Sequence, residues 1–101
     1  MKEYENLCVV AMEECAELQQ ALSKSMRFGF SNYNPETPEK SNATDILNEY
    51  YQLMGVMEML IDSGCVGHFF KEEIEYIKNR KRCKVSDYRE LSIRLGMVER
   101  E

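Results

Sequence analysis

The chain is poor in the soft metal ligands: it has one histidine, and its four cysteines, Cys8, Cys15, Cys65 and Cys83, include no CxxC pair. That excludes a zinc knuckle or a thioredoxin-type redox site as an expectation, and leaves small buried thiols in a reducing compartment as the expected role of the four. The opening run Met1-Lys2-Glu3-Tyr4-Glu5 lacks the apolar core of a signal peptide. No apolar run reaches the length that spans a bilayer, so a soluble, cytoplasmic protein with no membrane partner is expected. Basic charge is scarce as well. Thirteen Lys and Arg stand against 18 Asp and Glu, a net charge of -5, which argues against nucleic acid as a partner. Internal repeats, low-complexity tracts and strand-like alternation of useful length are all missing.

What is present is helical periodicity. Residues 3–28 carry no proline, repeat apolar residues at Leu7, Val10, Ala11, Leu18, Ala21 and Leu22, and run into Gly29 at the expected stop. Residues 29–41 collect Gly29, Asn32, Asn34, Pro35, Pro38 and Ser41 and predict a loop, long enough in a chain of this size to carry function. A second helix is predicted over 42–62, capped by Ser41, Asn42 or Thr44, with a broad apolar face from Ile46, Leu47, Tyr50, Leu53, Met54, Met57, Leu60 and Ile61. A third is predicted from His68 to about Arg82, with Phe69, Phe70, Ile74 and Ile77 inside. A short fourth is predicted over Ser86–Leu95, with Gly96 as its stop. The expected class is therefore all-α, a four-helix-bundle-like arrangement in one domain, residues 1–101. A chain this short buries a modest share of its surface, which favours packing of helices between subunits in an oligomer.

One feature breaks the apolar pattern. Glu14 falls in the centre of the first helix's stripe and Glu17 on its edge, one turn on. A carboxylate in a stripe destined for burial is costly unless a positive charge meets it. The second helix supplies Asp45, Glu49 and Gln52 along one strip at the margin of its apolar face. Antiparallel packing of the two helices brings these oxygens toward Glu14 and Glu17. An all-oxygen set suits a hard dication, Mg²⁺, rather than zinc. With Mg²⁺ in place the cluster becomes a platform for a phosphate chain, and a spare carboxylate can serve a water as general base, which points to phosphoanhydride hydrolysis. Lys24, seven residues after Glu17, and Arg27 are candidates for the phosphate oxygens, weighed against ordinary solvated cations at a helix C-terminus. In the basic run Lys78–Lys84, Lys78 and Arg82 share a face and are the further candidates for a triphosphate, from the same or a neighbouring subunit. The alternative there is a solvated helix end.

The run Glu13-Glu14-Cys15-Ala16-Glu17-Leu18, continuing to Ser23-Lys24-Ser25-Met26-Arg27-Phe28-Gly29, resembles the MazG-like nucleotide pyrophosphohydrolases of the all-α NTP pyrophosphatase superfamily. That superfamily is marked by ExxE on one helix and ExxD on the next, and the K-x-x-R-F-G ending is similar to that of small phage-type members. Glu14 and Glu17 match the first motif and Glu49 the first position of the second. Gln52 stands where the aspartate is expected. The resemblance covers roughly residues 7–62. It implies Mg²⁺-dependent hydrolysis of a nucleoside triphosphate, (d)NTP, to the monophosphate and pyrophosphate, with Glu14, Glu17 and Glu49 as metal ligands, in a homodimer or homotetramer. An amide oxygen at Gln52 ligates Mg²⁺ without bringing charge and cannot act as a base. Asp45, one turn before Glu49, is the residue placed by helical spacing to compensate. The departure at Gln52 keeps a second expectation open: a catalytically weak or inactive nucleotide-binding or assembly module on the same fold.

Overall fold

A computed structural model describes all 101 residues. The chain forms three helices, α1 (Glu3–Phe28), α2 (Asn42–Asp62) and α3 (Lys71–Arg94), and no strand. It divides into two compact units, Met1–Gly67 and His68–Glu101. None of the helices is long and apolar enough to cross a membrane.

In the first unit the helix bounds follow the punctuation in the sequence. Glu3 and Glu5 lie in the first turn of α1 and Arg27 in its last, each on the side that the helix dipole favours. The helix stops at Gly29, whose φ of 92° suits glycine and whose N–H donates to the Ser25 carbonyl at 2.8 Å. Ser41 is the N-cap of α2, its hydroxyl accepting from the Thr44 N–H at 3.2 Å. At the far end Ser63 and Gly64 turn the chain out, with the Gly64 N–H on the Ile61 carbonyl at 3.0 Å.

The packing of α1 on α2 is narrower than the sequence reading. Leu7, Ala11, Glu14, Leu18, Ala21 and Ser25 alternate by four and three along α1. Asn42, Ile46, Glu49, Leu53, Val56 and Leu60 do the same along α2, and all twelve are buried or half-buried. This is the 3–4 seam of two helices lying side by side. The broad face expected on α2 splits into two. Leu47, Tyr50, Met54, Met57 and Ile61 form a second stripe, 36–57% exposed, that the seam does not reach. Leu22 on α1 is likewise exposed. Of the cysteines only Cys8 is half-buried; Cys15, Cys65 and Cys83 are exposed, so the expectation of buried thiols is corrected for those three.

The second unit corrects the helix count. Instead of one helix over His68–Arg82 and another over Ser86–Leu95, α3 runs unbroken from Lys71 to Arg94. Cys83-Lys84-Val85 offers neither glycine nor proline. A serine side chain competes with the helix ladder only weakly, so Ser86 stays inside it instead of capping a new helix. The start shifts because Phe70 is the N-cap, its N–H donating to Glu73 Oε1 at 3.1 Å. The stop at Gly96 is as expected: φ is 74°, the Gly96 N–H meets the Ile93 carbonyl at 3.0 Å, and the Met97 N–H meets the Ser92 carbonyl at 2.9 Å, the paired bonds of a Schellman end. Phe69, Phe70, Ile74 and Ile77, expected inside, are all exposed. A unit holding one helix has no second layer of its own to bury a stripe against.

Candidate metal centre

Glu14 and Glu49 occupy seam positions where the repeat calls for apolar side chains, and both are half-buried. With the exposed Glu17 they form one cluster, each offering a carboxylate oxygen within 4.8 Å of the others. One oxygen of Glu14 and one of Glu49, Oε2 in each case, have lost contact with water and accept no hydrogen bond. Two ionised carboxylates about 4 Å apart repel by roughly 1 kcal/mol in bulk water and about 4 kcal/mol in the screening typical near a protein surface. Such a cluster therefore calls for a proton or a cation. Burial raises the Glu49 pKa above the ordinary glutamate value, and the neighbouring carboxylates of Glu17, Glu14 and Asp45 add to the rise.

The donor set fits Mg²⁺. It is all oxygen and carries up to three negative charges. Glu14 and Glu49 each keep one oxygen out of water in the packing of α1 on α2, and Glu17 lines a cleft where waters and phosphate oxygens have access. That cleft, of about 390 Å³, is lined by the carboxylates Glu17, Glu49 and Asp45, by Lys24 and Lys40, and by uncharged side chains that include Asn34 and Asn42.

The residues singled out from sequence separate into three groups. Glu14, Glu17 and Glu49 come together. Asp45 and Lys24 line the cleft beside them, and Asp45 acts on Glu49 through its charge. Gln52 and Arg27 are not part of the cleft lining, and Lys78 and Arg82 belong to the second unit. Gln52 is exposed, seven residues after Asp45 and so at the same place in the helical repeat, one turn beyond Glu49. Arg27 lies with its guanidinium 4.8 Å above the Phe28 ring. Lys78 and Arg82 are exposed on α3, and Arg82 donates to Asn79 Oδ1 of its own helix at 3.0 Å.

Six residues of the cleft lining were not placed there by the sequence reading: Gln20, Ala21, Asn34, Thr37, Lys40 and Asn42. Asn42 reads as a candidate cap, yet it is buried and ties the loop down. Its Nδ2 donates to the Gly29 carbonyl at 2.8 Å and its N–H to the Asn32 carbonyl at 2.7 Å. The available signal for Lys40 was its place directly before the cap Ser41, where the returning loop must cross the end of α1. Comparison with models of protein families, with curated proteins and with solved structures finds no match for the chain. What fold and site define is thus a class: an all-α protein whose helix pair carries a three-glutamate cluster beside a cleft of mixed charge.

Proposed function

We propose that the chain is a Mg²⁺-dependent nucleoside triphosphate pyrophosphohydrolase, turning (d)NTP and water into (d)NMP and pyrophosphate. The observation that carries this reading is the pair of solvent-excluded, unpartnered oxygens on Glu14 and Glu49, with Glu17 beside them. Surface carboxylates find water or a cationic side chain; these two find neither, and a dication supplies what both lack. The resemblance to MazG-like enzymes at Glu14, Glu17 and Glu49 supports the same assignment.

When bound, Mg²⁺ supplies charge neutralisation along the phosphate chain and acidity to a coordinated water. Glu14, Glu49 and Glu17 are the residues that would hold it, the first two from the seam and Glu17 from the cleft side. Of the three, exposed Glu17 has the access needed to accept the proton of the attacking water, whose oxygen ends on the monophosphate as the bond between the α- and β-phosphates breaks. Lys24 and Lys40, in the same cleft lining, neutralise phosphate oxygens and the departing pyrophosphate. Asp45 adds negative charge next to Glu49 and compensates in part for the neutral amide at Gln52. Substrates of this class are cytoplasmic, and so, on this reading, is the protein. The exposed stripe Leu47, Tyr50, Met54, Met57 and Ile61 supports assembly into a homodimer or homotetramer, since an apolar helix face repeating by three and four suits another helix.

One observation favours a second reading, a nucleotide-binding or assembly module without turnover: Gln52, exposed, brings no carboxylate to the site. Incubation with each NTP and dNTP plus Mg²⁺ and an assay for pyrophosphate separates the two. Release that is abolished by a chelator and by Glu14→Gln is expected. No turnover with any triphosphate at high protein concentration leaves the module. Gln52→Asp sharpens the answer, because a fourth carboxylate raises Mg²⁺ affinity and turnover if the site is catalytic.

A further inference from the structure

Beside the acidic cleft lies a larger cavity of about 520 Å³, walled by the end of α1 and the loop that follows it. The two share Lys24, Asn34 and Asn42, so one elongated ligand can lie across both. Their chemistry differs sharply. The cleft carries three carboxylates and two lysines among its lining; the cavity has Lys24 at the shared wall and is otherwise lined by uncharged side chains, among them Phe28, Tyr33 and Asn32.

We propose that this cavity seats the base of the nucleotide, with Tyr33 as the stacking surface and the asparagine amides as readers of the base edge. The assignment rests on the pyrophosphohydrolase reading only for where the phosphates go. Tyr33 is 54% exposed, and its backbone is fixed by the bridge to Ser41. Phe28 is the lesser platform, because the Arg27 guanidinium already lies over its ring. The amides are part-used in a way that leaves defined groups over. Asn34 Oδ1 accepts the Glu36 N–H at 2.9 Å, which leaves the Asn34 NH₂ as donor. Asn42 Nδ2 is taken by Gly29 and Asn32 Nδ2 by Phe28, which leaves two Oδ1 acceptors. A flat ring with donors and acceptors on its edge fits an aromatic face bordered by such amides; a second phosphate group does not. The volume lies within the range of small-molecule sites.

The test uses nucleoside 5′-monophosphates without metal, and inorganic tripolyphosphate with Mg²⁺, each followed by calorimetry and by amide chemical shifts. Monophosphates are expected to shift the amides of residues 28–42, and Tyr33→Ala to weaken them at least about tenfold while Tyr33→Phe retains them. Asn34→Ala is expected to alter the ranking of bases, and tripolyphosphate binding to be unchanged in the two Tyr33 variants. The variants alter exposed loop side chains, and circular dichroism confirms that the helices persist. Monophosphates that bind Tyr33→Ala as well as the native chain overturn the proposal, as does a protein that binds Mg²⁺-tripolyphosphate but no monophosphate. Monophosphate binding at the loop without pyrophosphate release from any triphosphate upholds the base site and removes the catalytic reading instead.

Discussion

The two units use glutamate in opposite ways. The first, Met1–Gly67, has four Lys and Arg against eleven Asp and Glu; the second, His68–Glu101, has nine against seven. In the second, Glu90 accepts two hydrogen bonds from the Arg100 guanidinium, at 2.7 and 3.0 Å, and this lowers its pKa. In the first, Glu49 meets burial and other carboxylates, and its pKa is raised. Glu90 is satisfied where it stands, whereas the repulsion around Glu49 is relieved by a proton or by a cation. A satisfied ion pair in water contributes little to stability, while an unsatisfied carboxylate in a seam is costly and so points to a ligand.

The sharpest way to break this comparison is to supply the cation. Mg²⁺ at about 100 times its Kd is expected to stabilise the protein by roughly 2.7 kcal/mol. For a domain of this size that raises the melting temperature by about 10 °C or more. Glu14→Gln and Glu49→Gln are expected to abolish the rise and to lower pyrophosphate release by at least about 100-fold, whereas Glu90→Gln changes neither. A rise of equal size in Glu14→Gln would show that Mg²⁺ binds elsewhere.

A smaller effect is expected from filling the seam. In metal-free solution Glu49→Leu restores the apolar repeat and removes a repelled carboxylate, so it stabilises the chain, by about 1–4 kcal/mol in urea titration. Loss of stability there would mean that Glu49 already has a partner in the metal-free protein.

The pH dependence follows from the same contrast. Because the folded pKa of Glu49 lies above its unfolded value, the folded state holds the proton more tightly. Its contribution to stability is complete below the ordinary glutamate value of 4.5 and is lost as pH rises through the raised one. Metal-free native protein is therefore expected to lose stability across that window, and Glu49→Gln to flatten the loss. Mg²⁺ requires the ionised form, so its binding strengthens over the same window. Glu90 carries the opposite sign: its lowered pKa contributes above 4.5, and that contribution is lost as pH falls through the lowered value. The smallest effect belongs to Arg100→Ala, which removes an exposed ion pair and is expected to leave the melting temperature essentially in place.

The first unit was legible in the sequence because its signals are local. Gly29, Ser41 and Gly64 mark its helix ends by backbone chemistry, and Glu14 stands out by helical angle alone. The second was less so. Ser86 carries the residue type of a cap, but cap preference acts only where the ladder is already interrupted, and nothing interrupts it between Lys71 and Arg94. On α2 the broad apolar face concealed which of two stripes meets α1, since Ile46 and Leu47 are equally apolar and only packing separates them. Glu49 was found through its spacing. Lys40 and Asn34 were missed because they reach the cleft by the path of a loop, which periodicity does not describe.

Asn42 has a consequence for the site it never touches with charge. Two helices that repeat by three and four can slip past one another by one repeat and still match apolar to apolar, and slippage would relieve Glu14 and Glu49 of each other. The buried amide of Asn42 on Gly29, its N–H on Asn32 and the Ala43 N–H on Phe30 clamp the hairpin at its closed end. The register is thus set by a neutral side chain, and the carboxylates are kept together against their own repulsion with no need of a cation to hold the helices there.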